Sequence, residues 1–113
     1  MKKLLALAVL VGMMSANVFA GCIEPAAAEL PDGSKALSQE MIAGQAAVKL
    51  YLADALAFLE CLASEEKDAA GALTQDQQKT NVATYNSVVE KVKVIVQGYN
   101  DQLRVYKEAH AKQ

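Results

Sequence analysis

Cys22 and Cys61 are the two residues of this 113-residue chain whose type and number suggest covalent chemistry. An even cysteine count suits an intrachain disulfide. A cysteine that closely follows an apolar leader, as in "VFAGC", also suits acylation at a newly made N-terminus. The lipid reading strands Cys61 as an odd thiol, and Phe19 stands three positions before Cys22 where an acylation motif usually has leucine. The expected pairing is therefore Cys22–Cys61, with acylated Cys22 as the alternative.

No other group of residues has the makings of a reaction centre. A single histidine, His110, cannot build a histidine metal site. The chain has no C-x-x-C for thiol exchange, no C-x-x-C-H for haem, no G-x-S-x-G and no glycine-rich phosphate loop. It is expected to be no enzyme and to carry no cofactor or metal. His110 reads as the frayed end of a helical stripe, Tyr85, Tyr99 and Tyr106 as packing residues, and Asp54 as an acceptor for backbone amides of the lead-in.

The elements that position the cysteines follow from the pattern. Lys2 and Lys3, the apolar run Leu4 to Met14, and small residues ending at Ala20 make residues 1–20 an export signal, cleaved after Ala20. Eleven apolar residues are too few for a permanent span, so no membrane helix is expected. Cleavage removes two of the 11 Lys+Arg and none of the 13 Asp+Glu, leaving nine against 13, a net charge near −4. That balance disfavours nucleic acid and anionic membrane as partners.

Residues 21–37, with Pro25, Pro31 and the turn Pro31-Asp32-Gly33, read as an extended strap. Residues 38–113 read as a helical hairpin domain. Ser38 is the expected N-cap of a first helix over about 38–64, with Leu37 and Ile42 as a hydrophobic staple. Its seam steps by four and three through Met41, Gln45, Val48, Leu52, Ala55, Leu59 and Leu62. Thr74 and Gln77 have capping-box spacing and open a second helix over about 75–109. Its seam is Val82, Tyr85, Val89, Val92, Val96, Tyr99, Leu103 and Tyr106.

Two long helices with a short connection give an all-α antiparallel hairpin with facing seams. Cys61 lies off the first seam, at the end of a line of mostly small residues: Ala43, Ala47, Leu50, Asp54, Ala57. The strap is long enough to start at Cys61, lie in that trough and turn into the helix at Pro31-Asp32-Gly33. Leu56, Phe58, Val88, Val94, Ile95 and Val105 fall off both seams and are the expected exposed apolar surface. Phe58, Val88 and Ile95 are where a second copy would pack to give a four-helix bundle.

"C-I-E-P", "P-D-G", "M-I-A-G-Q-A-A-V-K" and "C-L" after Tyr51-Leu52, with a later "Y-N", resemble a group of small exported proteins of Gram-negative bacteria. The resemblance implies a periplasmic address and two paired cysteines, and brings no activity or binding site with it. "L-T-Q-D-Q" at Leu73–Gln77 is similar to the L-T-x-x-Q element of Spy- and CpxP-type periplasmic proteins, a pattern that a capping box also produces. Together these readings point to an exported, non-catalytic protein-interaction or chaperone-like module with a protein partner or a homodimer. The alternative is an envelope lipoprotein with a structural role, acylated at Cys22.

Overall fold

The computed structural model describes residues 21–69 and 71–111, so the expected signal at 1–20 lies outside the described residues. The fold is an all-α hairpin: α1 spans Ser38–Asp68, α2 spans Gln75–Ala111, and the two pack against each other. Each outlasts its sequence-based end, α1 by four residues and α2 by two, because nothing in "EEKD" or "HA" breaks a helix. The start of α2 is as the capping box requires. The Gln77 amide donates to Thr74 Oγ1 at 3.1 Å and the Thr74 amide donates to Gln77 Oε1 at 2.9 Å.

The start of α1 differs from its expected form. Leu37 is the N-cap residue and makes no side-chain cap, Ser38 is already helical, and Leu37 and Ile42 are both exposed. The reason lies one step upstream. Asp32 closes a tight turn, its carbonyl accepting from Lys35 and Ala36 and its carboxylate from the amide and hydroxyl of Ser34. This turn brings Ala36 into the core in place of Leu37.

Between Cys22 and that turn, the strap runs antiparallel to α1. It does not lie in the trough of Ala43, Ala47 and Ala57, of which Ala43 and Ala57 are exposed and Ala47 half-buried. Asp54 is exposed as well and makes none of the described hydrogen bonds to the strap. The strap lies instead in the groove between the helices, and three glycines mark its course. A methyl group on Gly44 of α1 would stand 2.7 Å from the Pro31 ring, one on Gly98 of α2 would stand 2.6 Å from the Leu30 side chain, and one on Gly33 would overlap the Gln102 carbonyl. The Gly33 amide also donates to the Gln102 side-chain oxygen at 2.8 Å.

A third segment in the groove changes which residues form the core. On α1 the buried line is Met41, Gly44, Val48, Tyr51, Ala55, Phe58 and Leu62; on α2 it is Val88, Ile95 and Tyr99. Four of the seven α1 seam positions are therefore correct, while Gln45, Leu52 and Leu59 give way to their neighbours Gly44, Tyr51 and Phe58; on α2 only Tyr99 of the eight expected seam positions is on the buried line, Val89 and Val96 giving way to Val88 and Ile95. Phe58, Val88 and Ile95, expected on the surface, are core. The strap needs apolar side chains beneath it, so burial is deepest on the strap side of both helices. Tyr99 ties the base of the hairpin, its hydroxyl donating to the Met41 carbonyl at 3.0 Å inside the core.

The glycine contacts give a graded expectation. Gly33→Ala meets backbone, Gly44→Ala meets a rigid ring and Gly98→Ala meets the tip of a flexible leucine. Overpacking costs about 1–3 kcal/mol, and alanine returns up to about 1 kcal/mol of helix propensity at the two helical sites. Urea unfolding should rank the losses Gly33→Ala, then Gly44→Ala, with Gly98→Ala near neutral; an inverted order would put the strap elsewhere.

Candidate interaction surface and disulfide junction

The two sequence-singled residues meet. Cys22 and Cys61 form a disulfide with Cα atoms 5.7 Å apart, closing a loop over a sequence separation of 39. Cys22 is 1% exposed, so the bond is part of the packed interior and not an external clip. One helical turn beyond Cys61, the Glu65 carboxylate lies within 4.8 Å of both sulfurs. Both sulfurs are committed to each other, so the trio offers no thiolate ligand in this oxidised form.

A polar bridge fixes the strap just past the disulfide. Lys91 on α2 donates to Glu24 at 2.6 Å, joining the strap to α2. The pair is half-exposed, so its contribution is at most about 1 kcal/mol. Glu24 holds the Lys91 ammonium above its ordinary value. Both groups lie near Tyr51, whose phenol is raised above its usual range, first by burial and next by the opposed fields of Lys91, which lowers it, and Glu24, which raises it. At the far end of α2 the His110 Nδ1–H donates to the Tyr106 carbonyl at 2.9 Å and its ring leans on Tyr106, 4.0 Å between centroids. His110 thus dresses a helix end.

The largest chemical feature is an apolar face. Successive helical residues are rotated by about 100°. On α2, Lys91, Gly98 and Gln102 mark the strap side, and Val82, Tyr85, Val89, Val96 and Leu103 point to the opposite flank of the groove. On α1, Leu52 and Leu59 lie one residue round from Tyr51 and Phe58, again away from the strap, with Leu56 beside them. These side chains are half-buried or exposed, Val82 at 55% and Tyr85 at 45%. At the loop end of this flank a cavity of about 150 Å³ opens between the helices, lined by Leu62, Ala63, Glu66, Asn81, Val82 and Tyr85.

The missed signal was therefore in plain view. Each helix carries two adjacent apolar lines, one under the strap and one on the open flank, and a two-helix reading has room for only one. No family model, curated protein or solved structure matches this chain.

The disulfide sets two expectations. Cys61→Ser, or reduction, should release the strap and cost about 3–4 kcal/mol by loop entropy, lowering the melting temperature by roughly 12–32 °C. Calorimetry with and without reductant checks this, and intact mass should show the oxidised chain two hydrogens lighter than the reduced one. Alkaline pH should destabilise the fold. Tyr51 and Lys91 both have folded values raised above their ordinary 10.0 and 10.5, so the native state holds more protons than the unfolded chain. Their stability is present below pH 10 and is lost as pH rises through the folded values. Urea midpoints across pH 8 to 12 should fall on the alkaline side, and Tyr51→Phe should flatten that fall.

Proposed function

We propose that this chain is a small exported protein that acts as a non-catalytic protein-interaction module in an oxidising envelope compartment, the periplasm of a Gram-negative cell. The observation that carries the reading is the open apolar flank. A single-domain protein that covers one side of its helix pair with a strap and leaves Leu56, Val82 and Tyr85 in solvent has surface suited to a protein partner. The disulfide supports the compartment, since such bonds persist where thiols are oxidised. Among the described residues no helix is long and apolar enough to cross a membrane.

The competing reading is a structural lipoprotein anchored through Cys22. A sulfur bound to Cys61 cannot also carry a thioether-linked lipid, so the disulfide speaks against it. The interaction reading is tested by placing a photo-crosslinking amino acid at Tyr85, and as a control at Leu50, which is 64% exposed on the outer side of α1. Ultraviolet irradiation of exporting cells should give a discrete protein adduct at position 85 and none at position 50. Absence of any adduct at 85 would defeat the proposal.

A further inference from the structure

We infer that the open flank binds a second copy of this chain, giving a two-fold four-helix bundle with the two straps on its outer sides. The inference rests on the interaction reading above and names its partner. It moves the dimer contact away from Phe58, Val88 and Ile95, which are already buried within one copy.

Three observations favour a second copy as the occupant. The first is area. From Val82 to Leu103 the flank is about 32 Å long, and two helices side by side are roughly 20 Å across. That gives a footprint of about 600–700 Å² on each copy, near the ~800 Å² per partner of a stable protein interface. The second is shape. The flank steps by three and four along both helices, and the surface that meets such ridges over their whole length is another helix pair of the same length.

The third is charge. Leu52, Leu59, Val82, Tyr85, Val89 and Val96 form an apolar strip; the exposed Glu66, which lines the cavity beside Val82 and Tyr85, stands at its loop end. Two identical strips meet with few ions to desolvate, Glu66 at the exposed loop end being the carboxylate beside the cavity. In this arrangement the cavity beside Val82 and Tyr85 is a hole at the edge of each copy, and an apolar side chain of the other copy has room to enter it.

Sedimentation equilibrium of the purified oxidised protein tests the inference, with Val82→Glu/Tyr85→Glu as the flank variant and Leu50→Glu as the control. All three positions are at least 45% exposed, so circular dichroism should show unchanged helix content in every variant. The parent and Leu50→Glu should be dimers, and the flank variant should weaken association by about 100-fold or more. A parent that stays monomeric up to about 100 μM, where an interface of this size is populated, would overturn the inference. So would a flank variant that dimerises as well as the parent. The crosslink at Tyr85 separates the two proposals: an adduct of twice the chain mass supports the dimer, an adduct only with another protein overturns the dimer and keeps the interaction module, and no adduct defeats both.

Discussion

The rest of the structure depends on one packing constraint: residues 22–33 occupy the groove between α1 and α2. Two helices alone bury one line of side chains each, little for so short a chain to set against its conformational entropy. The strap adds a third wall. It brings Cys22 and Ala36 into the core beside Tyr51, Phe58, Val88 and Ile95. An extended segment this close to helix backbone needs positions without side chains, and Gly33, Gly44 and Gly98 supply them. The disulfide and the Glu24–Lys91 pair hold one end of the strap, and the Asp32 turn with its bond to Gln102 holds the other.

The local signals were legible in the sequence because their physics is local. Thr74 and Gln77 announce a capping box from their own spacing, and it forms as they announce it. Two cysteines, a strap of sufficient length and a turn at Pro31-Asp32-Gly33 favoured pairing Cys22 with Cys61 over acylating Cys22, and the structure holds that bond. Helix identity and hairpin topology follow from the periodicity of apolar residues.

The side on which the strap lies was not legible from those signals. Small residues at Ala43, Ala47 and Ala57 looked like a bed for it, but a bed on one helix buries the strap on one face only. The interhelical groove buries it on two, and that difference outweighs the smoother surface. Leu52 and Leu59 rank behind Tyr51 and Phe58 for the same reason. The clue available beforehand was Gln45, a polar residue in the α1 seam, next to Gly44, which the seam omitted. Glycine where two segments approach closely is a packing signal that hydrophobic periodicity cannot register.

Closing Cys22 onto Cys61 also sets the chain's response to force. The strap, the turn and most of α1 become a covalent ring, and α2 is a tail attached to it through the loop. Tension applied between the two ends of the chain passes through the disulfide and bypasses the segment between the two cysteines, which stand 39 positions apart. About 140 Å of contour is thereby withheld from extension while the bond stays oxidised. A load on the C-terminus peels α2 from the ring, and the ring itself stays short.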